Sequence, residues 1–428
     1  MARYQMWSVH LVVGPRGVGC YGYGVVSALV ETTESKRTAR TLVAAAVTAG
    51  AGVLAVAGTL AAPSAQAAPA RPASIAAVSP LHVTRIAYGD KLHHAFLPNG
   101  TGTARTESLS SPDDIAELGG DIFVTFQNGV GPQGQAAPDG DLDSTIVEFT
   151  LSGREVAQWD LHGKCDGLSA DPLAGEVIAT INEDAHSSLY TIRPGTGTVT
   201  HYAYSEPLPH NGGTDAIAIY HGQVLISASA PGTIGAAAPN PKYPAVYVVT
   251  LSSLTKIAHV SPLYDDEAPA FQADGPGAGK TINLALNDPD SNEVVPWAAP
   301  RYGGDFMLDS QGDQELIFDH FTGWHQHLTA LHLPASVDDS AWATSRLGAL
   351  YVTDGTDDTV DAVSGPFPVG SMYSSVTPCD SNSAPATCPG PGFPANYLAS
   401  TNMRTGALTP VPLTGPVLRT EGMIFIPW

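Results

Sequence analysis

Residues 81–428 are predicted to form an all-β propeller of six blades, with five and seven as the neighbouring counts. Three observations lead there. First, a carboxylate recurs just ahead of a short apolar strand, in Pro-Asp-Asp-Ile (112–115), Cys-Asp-Gly-Leu (165–168), Thr-Asp-Ala-Ile (214–217), Pro-Asp-Ser-Asn (289–292), Asp-Asp-Ser-Ala (338–341) and Thr-Glu-Gly-Met (420–423). Taken as Asp114, Asp166, Asp215, Asp290, Asp339 and Glu421, these acids are spaced 52, 49, 75, 49 and 82 residues apart. Three intervals near fifty and two longer ones describe one supersecondary unit with two insertions, the signature of a propeller or solenoid. Second, helical periodicity is almost absent, and short β-rich runs alternate with Gly, Pro, Asn and Asp turns. Third, six hairpins recur in step with the six acids.

In chain order, each acid opens an inner strand and a second apolar strand follows a turn. Those second strands read DIFVTF (121–126), EVIATI (176–181), QVLISA (223–228), DFMLDS (305–310) and ALYVTD (349–354). The hairpins that complete the units span 144–161, 187–204, 245–262, 314–333, 358–377 and 396–413. Four antiparallel strands make a blade, and radial repetition leaves few exposed sheet edges. Neighbouring blades bury their faces on one another, so none is stable alone. The final unit has a hairpin and a terminal strand, Met423–Ile426, with no second strand between them. The run His82–Tyr88 is expected to join this blade and close the ring.

The beginning of the chain reads as an export signal over residues 35–67. Lys36, Arg37 and Arg40 precede an uncharged Ala/Val/Gly run at 41–62, and Ala65-Gln66-Ala67 supplies small residues for cleavage before Ala68. A membrane anchor is the alternative, since 22 residues can span a bilayer. The scarcity of Leu, Ile and Phe and the small-residue site favour cleavage, and hence a secreted protein with no membrane insertion. Residues 1–34 read as an extension from a start codon placed too far upstream, and 68–80 as a linker.

Residues 1–67 hold five of the 19 basic and two of the 41 acidic side chains, so the remainder carries 14 against 39, a formal charge of −25. Such a balance excludes nucleic acid and anionic membranes as partners, because both require a basic face. It admits divalent cations. Cys379 and Cys388 flank a short loop and are expected to pair in an oxidising compartment. Cys165, next to an inner strand, is expected to be a small buried residue.

Hairpins of the form Leu189-Tyr190-Thr191-Ile192 … Thr196-Gly197-Thr198-Val199-Thr200 make the chain resemble secreted β-propellers of the NHL and lactonase-like type. The resemblance spans about residues 80–428 and is one of blade shape. The metal-binding set of gluconolactonase-like enzymes and the signature of streptogramin-inactivating lyases have no residue-by-residue match here. Fold resemblance does not by itself imply an activity.

The repeat carries its own expectation. Equivalent positions become equivalent radial positions, so the six acids should gather at one mouth of the channel. Gathered carboxylates repel one another, which raises pKa values or recruits a hard cation such as Ca²⁺ or Mg²⁺. The competing reading is structural, because an Asp ahead of a strand often accepts backbone N–H groups and fixes the turn. His162, Lys164, His210, Asn211 and Arg419 lie in the connecting loops and are the candidate ligand-binding residues. No Gly-x-Ser-x-Gly elbow occurs, which disfavours that serine-hydrolase design. His320, His325, His327 and His332 fall on an outer hairpin and read as exposed. Asp139, Asp141 and Asp143 alternate like a Ca²⁺ loop, but Thr150 replaces the closing Glu, so a flexible acidic hairpin tip is expected.

These residues support a monomeric binding protein whose acidic channel mouth takes a small molecule, a peptide or a cell-surface partner. The alternative is a metal-dependent lactonase-like hydrolase or a lyase at the same mouth. Binding is favoured, since no complete catalytic set can be assembled from motifs.

Overall fold

β-Branched and aromatic runs, cut by Gly, Asn and Asp turns, form blades built on four antiparallel strands in the computed structural model, which describes residues 80–209, 213–231, 243–322, 325–377 and 396–428. The expected signal, the residues before it, His210, Asn211, Cys379 and Cys388 lie outside these residues. Blade one comprises Pro112–Leu118, Asp121–Phe126, Asp143–Thr150 and Glu155–His162. Blade two comprises Cys165–Asp171, Glu176–Ile181, Ser188–Arg193 and Thr198–Tyr204. Blade three comprises Ile217–Tyr220, Gln223–Ser227, Pro244–Ser252 and Ile257–Asp265. Three single helical turns lie wholly among the described residues, Gly89–Lys91, Pro98–Gly100 and Pro194–Thr196. None is long and apolar enough to cross a membrane.

The two long intervals have different causes. Blade four comprises Pro289–Val294, Phe306–Ser310, Glu315–Thr322 and His325–His332. Its 75-residue approach contains an extra pair, Pro269–Gln272 and Thr281–Asn283, laid parallel on the blade's outer edge. The second interval conceals an exchange. Blade five is Val337–Trp342, Met372–Val376, Tyr397–Thr401 and Leu408–Pro410, whereas the hairpin Leu347–Asp354 and Thr359–Pro366 belongs to blade six. There it lies beside the inner strand Met423–Pro427 and the N-terminal strand Leu81–Tyr88. The expected hairpin at 358–377 is therefore split between two sheets, and the second strand missing from the last unit is found upstream, at Leu347–Asp354. Strand Leu81–Tyr88 joins the final blade as expected.

The inner strands pack side by side in sequence order, and the last, Met423–Pro427, packs on the first, Pro112–Leu118. Period-2 alternation then sends one strand's side chains to two neighbours. In Asp121–Phe126, Ile122, Val124 and Phe126 meet Ala349, Tyr351 and Val360 of blade six, while Phe123 meets Leu168, Val177 and Ala179 of blade two. Both faces are buried, which is why all six residues of a second strand such as EVIATI are enclosed. Full burial of a side chain like Phe123 contributes roughly 1.5–3 kcal/mol. A short hairpin, His93–Phe96 with Arg105–Ser108, lies outside the blades.

Candidate metal and ligand site in the channel

Three inner strands enter the channel through the same irregularity. Pairing skips between Pro112 and Ile115, between Cys165 and Leu168, and between Val337 and Ser340. Two consecutive residues are thereby released from the ladder. The second of them faces the next blade at close quarters. A Cβ on Gly167 would lie 2.4 Å from the Asp215 carbonyl oxygen, and one on Gly422 would lie 2.4 Å from that of Asp113. Where this place is taken by Asp, the carboxylate spans the interface. Asp114 accepts the N–H of Ile115 at 2.7 Å and, from blade two, that of Leu168 at 2.6 Å. Asp339 accepts the N–H of Ser340 at 2.6 Å and, from blade six, that of Met423 at 2.5 Å. The Ser291 hydroxyl donates to Asp339 as well, at 2.7 Å.

Asp114 and Asp339 are thus one residue out of register with the other four acids. Asp166 and Glu421 precede a glycine, and the residues in the matching place are Asp113 and Asp338. The doublets Asp113-Asp114 and Asp338-Asp339 offered two choices, and only the following Gly167 and Gly422 mark which is equivalent.

Hydroxyls on the second strands reinforce the same seam. Thr180 donates to the Asp215 carbonyl at 2.6 Å, Ser375 to that of Thr420 at 2.6 Å, and Thr353 to that of Asp113. Each joins one blade to the next.

All six expected acids line one cavity of about 450 Å³, together with Asp113, Glu183, Asp288 and Asp338. Ten carboxyl groups there face a single basic side chain, Lys164, among the described lining residues. Lys164 Nζ lies 3.4 Å from Asp166 Oδ1 and is paired also with Glu183. Burial opposes charge on Lys164, but the Asp166 and Glu183 carboxylates outweigh it and raise its pKa. Burial likewise pushes Asp166 up, yet the Lys164 ammonium prevails and the net shift is downward. Glu183 goes the other way, up to about 9, through burial and the Asp166 charge. Asp113, Asp215, Asp290 and Asp338 are all raised by burial and then by neighbouring carboxylates.

Amides hold several of these groups in place. Gln127 Nε2 donates to Asp113 at 2.7 Å and to Asp166 at 3.2 Å; Gln311 donates to Asp338 at 3.1 Å, and Asn396 to Glu421 at 2.9 Å. Asp166 Oδ2 and Asp290 Oδ2 remain buried without a hydrogen-bond donor. Asp166, Glu183 and Asp215 each present a carboxylate oxygen within 4.8 Å of the others. Three hard oxygen donors so gathered suit Ca²⁺ or Mg²⁺. Asp288 sits in the oxygen-rich run Asn287–Glu293 beside Asp290, whereas Glu183, in a loop away from the repeated motif, had no sequence signal of its own.

The other loop candidates separate. Lys164 enters the cavity, but His162, two residues earlier, is exposed and bonded to Asp143 at 3.1 Å. Gly163 between them has φ +110°, a turn that a side chain would strain, and a Cβ there would lie 2.5 Å from Ile181. Arg419 is also absent from the cavity lining; its guanidinium pairs with Asp357 at 2.8 Å and its N–H is accepted by Asp354 at 2.9 Å. His320 is bonded to Asp305 at 2.6 Å, and His327 is exposed on the outer strand. Cys165 is buried and unpaired. Asp141 departs from the expected flexible tip: it is fully buried, and its Oδ1 accepts the N–H groups of Leu142 and Asp143.

No protein-family model and no curated protein matches this chain. Solved structures do. A periplasmic gluconolactonase from Pseudomonas aeruginosa is 11% identical, with 81% of this chain and 99% of that one covered and a TM-score of 0.41. A protein of unknown function from Bacteroides caccae is 12% identical over the same shares, 81% and 99%, at a TM-score of 0.41. The β-propeller domain of Cps50 (Swd1) from Myceliophteria thermophila is 11% identical over 78% and 98%, at 0.35. The chain is thus similar to lactonase-like and other propellers, and likeness at this level assigns neither ligand nor activity.

Proposed function

We propose that this is an exported propeller that binds a divalent cation at its channel mouth, through Asp166, Glu183 and Asp215, and presents the loaded site to a small polar ligand. The observation that carries the reading is the charge imbalance in the cavity, where among the described lining residues ten carboxyl groups meet one ammonium. Buried like charges are costly unless they are neutralised by protons or by a cation. Oxygen ligands select a hard ion, and its binding would displace the proton that Glu183 otherwise keeps. The test is elemental analysis of the purified protein before and after chelation, with thermal melts in added Ca²⁺ or Mg²⁺. One equivalent of a hard divalent ion, lost in Asp166→Asn/Asp215→Asn, supports the reading; no divalent ion and no thermal response would end it.

The second reading, metal-assisted hydrolysis of a cyclic ester, is favoured by the size of the space. A cavity of about 450 Å³ is far larger than one ion needs and falls in the range of small-molecule sites. A panel of lactones assayed with and without added ion separates the two. Ion-dependent turnover that disappears in Asp166→Asn supports catalysis, and binding of the ion without turnover supports a binding protein.

A further inference from the structure

Away from the channel, the hairpin His93–Phe96 and Arg105–Ser108 is pressed onto blade one through a buried histidine. His94 and Glu107 are directly opposite on its two strands. The His94 side chain is fully enclosed, and three carboxylates from three segments surround the ring. Nδ1 lies 3.2 Å from Asp160 Oδ1, which also accepts the Thr145 hydroxyl at 2.8 Å. Nε2 lies 3.2 Å from Glu107 Oε1 and 3.4 Å from Asp141 Oδ2.

The imidazolium protons alone do not satisfy that arrangement. If His94 is an imidazolium, Nδ1–H serves Asp160, and the single Nε2–H can serve only one of two oxygens. Glu107 is in hydrogen-bonding position, so Asp141 Oδ2 is left buried with no donor, although Asp141 is wholly inaccessible to water. An orphaned carboxylate oxygen in such a place is expensive. A divalent ion would satisfy all three atoms together. The spacing agrees: tetrahedral ligands at about 2.0–2.1 Å from an ion are about 3.3–3.4 Å from one another.

We propose that His94 Nε2, Glu107 and Asp141 Oδ2 form a second metal site, for a borderline transition ion of the zinc type, which pins the N-terminal hairpin to blade one. The imidazole nitrogen distinguishes it from the oxygen-only channel, since hard Ca²⁺ and Mg²⁺ prefer oxygen and zinc takes nitrogen readily. Asp160 acts from behind, holding the Nδ1–H tautomer so that Nε2 presents its lone pair. Asn128 Nδ2, an amide donor 3.5 Å from Nε2, lies on the same side of the ring. Glu107 is about one-quarter exposed, at 26%, so a fourth position opens to water on its side.

The test uses the full chain, stripped by chelation and titrated with Co²⁺, whose visible absorption is strong at four-coordinate sites containing nitrogen and weak at six-coordinate oxygen sites. One equivalent should give the strong spectrum, and Zn²⁺ should abolish it by competition. Asp141→Asn and Glu107→Gln should each weaken Co²⁺ binding at least tenfold, with the far-ultraviolet dichroism of the native fold retained. Asp166→Asn/Asp215→Asn, which alters only the channel, should leave the strong spectrum intact, so failure here and failure of the channel reading are distinguishable. A weak spectrum only, or a strong one unchanged in both single variants, would overturn the proposal. A metal-independent rise in melting temperature in Asp141→Asn, with no strong spectrum in the parent, would overturn it in favour of a simple imidazolium cage.

Discussion

The Asp114 carboxylate of blade one accepts the backbone N–H of Leu168 in blade two at 2.6 Å, so a side chain at the channel acts as a staple between blades. Asp113, its neighbour in sequence, instead meets Gln127 and feels Asp166 and Asp338 across the cavity. Adjacent acids therefore have opposite work, and substitution should separate them. Asp114→Ala is expected to lower stability by about 1–3 kcal/mol, since two N–H groups lose their acceptor. Asp113→Asn should not destabilise, because it removes a like charge from a crowded site. Urea melts of the two variants in chelator check this.

Stability of the metal-free protein should fall as pH rises. Asp113, Asp215, Asp290 and Asp338 have folded-state pKa values raised above the ordinary carboxylate range, and Glu183 is raised to about 9. For a raised acid the unfolded chain loses its proton first, so the native state's advantage is full below the ordinary value and disappears as pH climbs through the folded one. The melting temperature in chelator should therefore decline from about pH 5 to pH 9, and the gain on adding Ca²⁺ should grow over the same interval. Melts in matched buffers at constant ionic strength provide the measurement.

Gly167 is fixed by the narrow seam between blades two and three. Its substitution by Ala would set a methyl 2.4 Å from the Asp215 carbonyl oxygen and 2.7 Å from the Ala216 Cα. Both are backbone atoms that cannot rotate away. Gly167→Ala is expected to destabilise by about 1–3 kcal/mol through overpacking. Gly195→Ala, at an open turn with nothing near its Cβ, serves as the control and should change stability little. Denaturant midpoints of the pair decide it.

Thr180 joins the same two blades by donating to the Asp215 carbonyl at 2.6 Å. Thr180→Val keeps the shape and leaves that buried carbonyl without this donor, so it should cost about 1–3 kcal/mol. Denaturant melts measure the loss, and Ca²⁺ binding by the variant should persist with lower stability.

How much of this was legible in the sequence depended on whether a signal was local. The approximate fifty-residue repeat is local to each blade, because an inner strand pairs with the strand that follows it. Blades one to three thus read directly from the sequence. The exchange between blades five and six did not, since Leu347–Asp354 pairs with Met423–Pro427 across three of the four strands of blade five. Nothing in a run such as ALYVTD states which inner strand it will join. The gathering of acids followed from the repeat, whereas the one-residue offset at Asp114 and Asp339 depends on which side of a bulge faces the channel. Glu183 and the His94 cluster depend on contacts between segments distant in the chain, and His94 in particular meets Asp141 and Asp160 only after the hairpin docks.

Calorimetric titration of Ca²⁺ into chelator-treated protein at pH 8 measures whether the channel carboxylates bind a hard divalent cation. The Asp141→Asn variant serves as the parent, so that the His94 cluster contributes nothing. Saturable binding of one ion per chain is expected, with proton release from Glu183 and a stabilisation of about 2.7 kcal/mol when free ion reaches one hundred times Kd. Asp166→Asn/Asp215→Asn added to that parent should abolish the binding heat while the protein stays folded. No saturable heat in the parent, or undiminished binding in the triple variant, would contradict that expectation.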